Sequence, residues 1–215
     1  DEEVNNDANA WATGIYEVDE SLREKIGSGE GMVAAVLDTG LDASHPAFSQ
    51  PLDVDESLLL SKEQVQERIF EGDNRYGLTS VDGDATVDDV YYSEKVPFAY
   101  DYADKDTDVY PSYSAHGTHV AGIIAGADHE GKYCPGFTDE DGNLVDIDGN
   151  LMENANGENM QFTGVAPNAQ LAIFKVFSDK EVNGTLGGAE EMDILRALED
   201  CVKLGVDVIN MSLGS

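Results

Sequence analysis

The stretch Met32-Val33-Ala34-Ala35-Val36-Leu37-Asp38-Thr39-Gly40 places an unbroken apolar run directly before an aspartate and a turn. The run does not alternate between apolar and polar residues, so we expect both faces of the segment to be buried. Such a pattern is typical of a central strand in a parallel sheet, and it stops abruptly at Asp38. The sequence therefore predicts that Asp38 lies at the carboxyl end of a buried strand, where the sites of α/β proteins collect.

Strands and helices alternate along the rest of the chain. Further strands are predicted at 96–102, 171–177 and 206–211, a helix entered from a loop at 114–126, and an amphipathic helix at 190–204. This alternation implies right-handed crossovers between parallel strands. We therefore expect an α/β fold, with a parallel sheet and helices on both of its faces.

The two predicted helices should bury different kinds of residues. In 114–126, an apolar stripe is formed by Val120, Ile123 and Ile124, and the small residues between them should allow close packing. In 190–204, the helical repeat predicts an apolar side made of Ile194, Leu195, Leu198, Cys201 and Val202.

Two acidic stretches interrupt the alternation. Residues 49–95 are weakly periodic, and Ser61-Lys62-Glu63-Gln64 within them has the pattern of a helix N-cap. Residues 127–161 are rich in Asp, Asn and Gly. Both stretches are predicted to be surface insertions in one domain that spans residues 1–215.

The chain is strongly acidic, because 12 Lys and Arg stand against 44 Asp and Glu, a formal net charge of −32. This balance argues against a nucleic-acid partner, whose phosphates need basic side chains, and against docking on anionic lipid. No apolar run reaches the ~18 residues that span a bilayer, so no membrane insertion is expected in this segment. The carboxylates form either a solvated acidic surface or, in part, ligands for calcium.

The sequence locates no metal site. Residues 139–143 (Asp-Glu-Asp-Gly-Asn) and 146–150 (Asp-Ile-Asp-Gly-Asn) look like calcium loops, but they lack the spacing and the flanking helices of an EF-hand. Calcium binding therefore stays an unlocated alternative to a solvated acidic loop. Cys134 and Cys201 lie far apart without metal-binding spacing, which leaves open one disulfide or two unpaired thiols.

Two residues have the chemistry of a proton-transfer pair. At the end of a buried strand, Asp38 can be held rigidly enough to orient an imidazole, although a simple turn aspartate is the alternative. His116 opens the 114–126 helix, where its ring can point out of the core and act as a general base. The spacing of His116 and His119 also suggests zinc, which is disfavoured without a third ligand. We instead expect His119 to be packed and hydrogen-bonded within its helix. Surface or turn positions are expected for the other histidines, His45 and His129.

Four blocks of the sequence resemble the motifs of subtilisin-like serine peptidases, the subtilases, in the order that this family shows. The blocks are Val36–Asp42 with His45-Pro46, His116–Gly122, Phe162–Ala169 followed by the Leu171–Val176 strand, and Val208–Ser215. Within the family, the chain is most similar to the lactocepin-type cell-envelope proteinases and the related complement-cleaving surface peptidases. That similarity lies in Lys95–Asp104, Gly164–Val176 and Ser212–Ser215.

The resemblance implies a subtilisin-like three-layer fold and a role for each matching residue. Asp38 would orient His116, and His116 would take the proton from a serine hydroxyl that attacks a peptide carbonyl. An extended polypeptide substrate would pair as a strand with two backbone edges, although ordinary turn chemistry is the alternative for their glycines. These edges are Gly187, Gly188 and Ala189 on one side and Ser212, Leu213 and Gly214 on the other.

The family's Gly-Thr-Ser nucleophile motif and its oxyanion asparagine are not found in the positions that this resemblance covers. Gly77-Leu78-Thr79-Ser80 is no substitute, because it lies upstream of the histidine in an acidic stretch. We therefore expect the N-terminal portion of one catalytic domain, truncated before the serine-bearing part and inactive without the remainder of the same chain. The resemblance also implies an extracellular or cell-surface protein.

Two other interpretations fit parts of the sequence. The first is a non-catalytic domain that retains the subtilase core, either a pseudopeptidase or an acidic calcium-binding module, although Ala47 stands where many subtilases carry a calcium-binding aspartate. A nucleotide-binding protein is disfavoured, because residues 38–42 offer one glycine and two carboxylates where a phosphate loop would be needed. The peptidase mechanism itself requires no cofactor.

Overall fold

A four-stranded parallel sheet forms the centre of the computed structural model, which describes residues 27–49, 51–71, 76–127, 164–182 and 185–214. The strands of this sheet are β1 (Val33–Asp38), β2 (Phe98–Asp101), β3 (Gln170–Lys175) and β6 (Val208–Asn210). Their order is β2-β3-β1-β6, and every neighbouring pair is parallel. Each corresponds to a predicted strand, so the α/β fold with a parallel sheet is confirmed. A separate short hairpin pairs β4 (Glu181–Val182) with β5 (Thr185–Leu186).

Strand β1 lies between β3 and β6, and all of its residues are buried. Because successive side chains of a strand point to opposite faces, β1 contributes to two cores. The first core contains Val33, Ala35 and Leu37, and the second contains Ala34 and Val36. Burial on both faces explains why the run is apolar without alternation.

Helices cover both faces of the sheet, as expected. The helices are α1 (Lys62–Val65), which continues as a π-helix over Gln66–Phe70, α2 (Val87–Val90), α3 (His116–Ala125) and α4 (Glu191–Leu204). Single 3₁₀ turns lie at Pro46–Phe48, Glu56–Leu58 and Leu78–Ser80. Helix α3 packs on the second core and α4 on the first. Within the described residues, none of the helices has the length and hydropathy needed to cross a bilayer.

Helix α3 meets the sheet mainly through its smallest residues. The buried positions of this helix are Gly117, Ala121, Gly122 and Ala125, whereas Val120 and Ile124 are only partly covered. The predicted apolar stripe therefore borders the contact, and the small side chains form its centre. As a result the start of α3 lies very close to the end of β1.

The predicted apolar side of α4 is partly wrong. Leu195 is 57 % exposed and Val202 is 77 % exposed, whereas Ala197, Cys201 and Leu204 are buried against the first core. Cys201 is buried and has no disulfide partner among the described residues. The predicted Ile194 and Leu198 pack partly against the same core.

Two buried aspartates take the place of the apolar residues expected on the inner side of α4. Asp200 accepts hydrogen bonds from the Leu78 backbone N–H at 2.6 Å and from the Tyr102 hydroxyl at 2.7 Å. Asp193 accepts one from Arg196 at 2.6 Å. A buried carboxylate is tolerated when such partners satisfy it, so the carboxylates face inward and Leu195 faces solvent.

The acidic stretch 49–95 contributes to the hydrophobic core, so it is more than the surface insertion that the sequence predicts. Its apolar residues complete the first core, and they include Leu60, Val65, Ile69, Leu78 and Val90. The N-cap predicted at Ser61 is confirmed, because Ser61 and Gln64 form a reciprocal capping box at the start of α1. Of the stretch 127–161, the described residues include only Ala127, so the predictions on His129, Cys134 and the two calcium-like loops lie outside them.

Candidate active site

The carboxyl end of β1 holds Asp38 in a buried position. Its side chain is 1 % exposed, and its Oδ1 accepts a hydrogen bond from the Thr39 backbone N–H at 2.7 Å. Its Oδ2 is buried and has no hydrogen-bond partner within the part of the chain that the structure describes. The bond from the Thr39 N–H fixes the direction of this carboxylate at the end of β1.

His116 is the first residue of α3, and its Nδ1 lies 2.8 Å from Asp38 Oδ1. The imidazole side chain is 49 % exposed, so the ring reaches from the buried carboxylate to the surface. Because Nδ1 faces Asp38, Nε2 lies on the opposite, outer edge of the ring. The structure thus brings together the two residues that the sequence nominated, in an arrangement able to accept a proton from an incoming hydroxyl.

The other described histidines lie apart from this pair. His119 is exposed, so the expectation that it is packed within its helix is wrong. His45 is a turn residue as expected, and its Nδ1 accepts a hydrogen bond from the Ala47 N–H at 3.2 Å. In the described ranges, no group of three or more His, Cys, Asp or Glu side chains is arranged to hold a metal ion.

Thr39, which sequence reasoning did not single out, fastens α3 to β1. Its hydroxyl donates to the Ser114 carbonyl at 2.7 Å and accepts from the Gly117 N–H at 2.9 Å. The Thr118 hydroxyl adds a third link by accepting from the Asp42 N–H at 2.9 Å. These bonds hold the chain just before and just after His116, so the backbone of His116 is fixed relative to Asp38. The only sequence signal for this role is the position of Thr39 directly after Asp38.

Gly117 and Gly40 allow the close approach of the two segments. A β-carbon at Gly117 would meet the Gly40 backbone and the Asp38 side chain. Gly40 has a φ of 111°, which disfavours any other residue, and a β-carbon there would overlap the Val109 carbonyl. The short distance between Asp38 and His116 therefore depends on two positions without side chains.

A model of the subtilase family matches residues 29–215. The chain belongs to the subtilase family. The match includes all four strands of the parallel sheet and both residues of the Asp38–His116 pair.

Curated relatives of this subtilase carry proteinase and peptidase names. It is 33 % identical over 189 residues to a PII-type proteinase of Lacticaseibacillus paracasei, an alignment of 87 % of this chain and 8 % of that protein. It is 33 % identical over 189 residues to a PIII-type proteinase of Lactococcus lactis subsp. cremoris (strain SK11), again 87 % of this chain and 7 % of the relative. A C5a peptidase of Streptococcus pyogenes is 31 % identical over 197 residues, which are 91 % of this chain and 13 % of the peptidase. The chain therefore spans only a small part of the length of these relatives, and its predicted similarity to them is confirmed.

One of the two predicted substrate edges lies beside the loop that leads into His116. Gly187 has a φ of 71°, and a β-carbon there would overlap the Tyr113 ring, so this position requires glycine whatever its role in binding. The Gly188 carbonyl accepts a hydrogen bond from the Ser178 N–H at 3.0 Å, and Ala189 is exposed. Turn geometry accounts for Gly187, and substrate binding by this edge stays a prediction.

The other predicted edge follows β6. Because β6 runs parallel to β1, Ser212 lies at the same carboxyl end of the sheet as Asp38. The Ser212 hydroxyl donates to Asn210 Oδ1 at 2.8 Å. Ser212 and Gly214 are exposed, and Leu213 packs partly on the first core. An exposed backbone at this end of the sheet is open to pairing, and the binding role stays a prediction.

Proposed function

We propose that this subtilase chain is the N-terminal half of the catalytic domain of a serine endopeptidase. The observation that carries the proposal is the 2.8 Å contact between the buried Asp38 carboxylate and the half-exposed His116 imidazole. Membership of the subtilase family and similarity to proteinases support the same reaction class.

Proton transfer in this mechanism passes through the outer edge of His116. Nδ1–H donates to Asp38 Oδ1, which leaves the Nε2 lone pair free to take the proton of a serine hydroxyl as its oxygen attacks the peptide carbonyl. The Asp38 carboxylate stabilises the resulting imidazolium. When the tetrahedral intermediate collapses, the imidazolium returns that proton to the leaving amine, and a water molecule then repeats the cycle to release the acyl group. These steps use only protein side chains and water, so no cofactor is required.

The nucleophilic serine and the oxyanion donor come, in this proposal, from the remainder of the same catalytic domain. Loss of the nucleophile in such enzymes lowers turnover by ~10⁶-fold, so the 215 residues alone should be inactive. The outer edge of β6 supports the addition of further structure, because Val208 is 54 % exposed and Ile209 and Met211 beside it are also exposed. An apolar edge strand is normally covered by another element.

The proposed substrate is an extended polypeptide. It would lie between the Gly187–Ala189 and Ser212–Gly214 edges, held by main-chain hydrogen bonds. An extracellular or cell-surface location fits the strongly acidic composition and the resemblance to cell-envelope proteinases.

The test uses the full-length protein with a serine-directed phosphonate and a fluorescent unfolded polypeptide. We expect the wild type to be labelled and to cleave the polypeptide, and His116→Ala to lose both activities. His119→Ala is the matched control, because His119 is an exposed histidine on the same helix and should have no effect. Labelling that is indifferent to His116, or a wild type that neither reacts nor cleaves, would refute the proposal.

A further inference from the structure

A carboxylate outside the Asp38–His116 pair holds the loop that leads into α3. Asp179 accepts hydrogen bonds from the Tyr113 N–H at 2.7 Å and from the Ser112 N–H at 3.3 Å. Two bonds from successive backbone groups to one carboxylate restrain both the position and the direction of the loop. Asp179 therefore anchors the chain three residues before the imidazole of His116.

The buried ammonium group of Lys175 holds Asp179 in place. The Nζ of Lys175 lies 3.4 Å from Asp179 Oδ2, and its side chain is fully buried. The same Nζ contacts Asp101 Oδ2 at 2.5 Å and Asp104 Oδ2 at 3.8 Å. Burial by itself disfavours the ammonium, but its hydrogen bond to Asp101 and the surrounding negative charges outweigh this effect and raise the pKa of Lys175. We call Lys175, Asp101, Asp104 and Asp179 the lysine cluster.

The lysine cluster lies against the strand that carries Asp38. In the sheet register Lys175 is opposite Asp38 on one side and Asp101 on the other. The aliphatic stem of Lys175 runs beneath Gly40, where an added β-carbon would come within 2.9 Å of Lys175 Cδ. The cluster thus occupies the space between the end of β1 and the loop before α3.

The same cluster also reaches the Gly187–Ala189 edge. Asp104 accepts hydrogen bonds from the Ser178 hydroxyl at 2.5 Å and from the Asp179 N–H at 3.2 Å. The Ser178 N–H donates to the Gly188 carbonyl at 3.0 Å. On the other side of this edge, the Tyr113 ring packs against Gly187. The lysine cluster is therefore hydrogen-bonded directly to the loop before His116, through Asp179, and indirectly to a predicted substrate edge, through Ser178.

We propose that Asp179, fixed by Lys175, is a positioning residue that sets His116 relative to the Gly187–Ala189 edge. This inference rests on the proposed peptidase function, and it assigns Asp179 no contact with substrate or reacting atoms. Misplacing a reacting group by 1 Å can lower the rate by about 10²-fold, so a loose loop should be visible in turnover.

The test measures kcat and KM of the full-length protein on the fluorescent polypeptide for Asp179→Ala and Asp179→Asn. We expect Asp179→Ala to lower kcat by about 10- to 100-fold, because both backbone bonds lose their acceptor. Asp179→Asn should recover most of that loss, because its amide oxygen can still accept from Tyr113. Lys175 is unsuitable for the test, since its replacement removes a buried cation that contacts three carboxylates and thereby endangers the fold.

Asp108→Ala is the matched control. Asp108 also accepts a backbone hydrogen bond, from Tyr110 at 3.1 Å, but it is exposed and lies outside the lysine cluster. Its replacement should leave kcat and KM unchanged. Wild-type kcat in Asp179→Ala, or equal losses in Asp179→Ala and Asp179→Asn at unchanged thermal midpoints, would overturn the inference. Phosphonate labelling of the wild type separates the two proposals, because its failure removes the peptidase function itself.

Discussion

Adding one methyl group at Gly117 should disable the Asp38–His116 pair without touching either side chain. A β-carbon at this position would lie 2.3 Å from the Gly40 carbonyl oxygen, 3.0 Å from the Gly40 nitrogen and 3.1 Å from the Asp38 β-carbon. Two of these neighbours are backbone atoms, which have no rotamer to change. Relief must therefore come from movement of α3 away from β1.

The size of that movement follows from the contact distances. Ordinary van der Waals contact begins at 3.4 Å, and the added β-carbon would lie only 2.3 Å from the Gly40 oxygen. The helix must therefore move away by roughly 1 Å. A retreat of that size lengthens the 2.8 Å contact between His116 Nδ1 and Asp38 Oδ1 beyond hydrogen-bonding distance. We expect Gly117→Ala to lower kcat/KM by about 10²-fold and to destabilise the fold by about 1–3 kcal/mol.

The assay is hydrolysis of the fluorescent polypeptide by the full-length protein, together with a thermal melt. Gly83→Ala is the matched control, because a β-carbon there has nothing within 4 Å and its φ is not positive. Wild-type kcat/KM in Gly117→Ala would refute the argument, since the pair would then tolerate a displacement that the packing makes unavoidable.

Three further predictions concern buried titratable groups. Asp38→Asn should lower kcat by about 10⁴-fold with little change in KM, because an amide favours the wrong imidazole tautomer; steady-state kinetics test this. Burial raises the pKa of Cys201 to about 12, so its peptide should stay unlabelled by iodoacetamide at pH 8 until denaturant is added, as read by mass spectrometry. Burial lowers the pKa of Lys95 from 10.5 to about 7. Between about pH 7 and pH 10.5 the unfolded chain therefore carries a proton on Lys95 that the folded chain lacks. The thermal midpoint of the wild type should therefore fall relative to Lys95→Met as the pH drops from 10 to 7, and a pH-independent difference would contradict the shift.

The sheet and the proton-transfer pair could be predicted because their signals are local. The uninterrupted apolar run before Asp38 allows few structures other than a strand buried on both faces. His116 follows from its place at a helix start after a loop, and from a block of residues that resembles the subtilase histidine motif. Each of these signals lies within a stretch of about ten residues.

The other features of the fold and the site depend on hydrogen bonds between residues that are distant in the sequence. Hydropathy predicts only an apolar inner side for α4, and it cannot show that Asp200 faces inward to accept hydrogen bonds from Tyr102 and the backbone of Leu78. Thr39 donates to Ser114 and Lys175 donates to Asp101, each more than seventy positions away, so no periodic pattern in the sequence marks these contacts. Folding makes these polar side chains adjacent, and only the structure shows their contacts.

The most direct test of the account is the tautomer of the neutral His116 imidazole in the catalytic domain, read from ¹⁵N NMR of histidine-labelled protein at a pH where that ring is uncharged. The signals are assigned by their loss in His116→Ala. The account predicts a proton on Nδ1, held by Asp38, and an unprotonated Nε2 at the outer edge of the ring. A proton found on Nε2 instead, with Nδ1 bare toward the carboxylate, would contradict it.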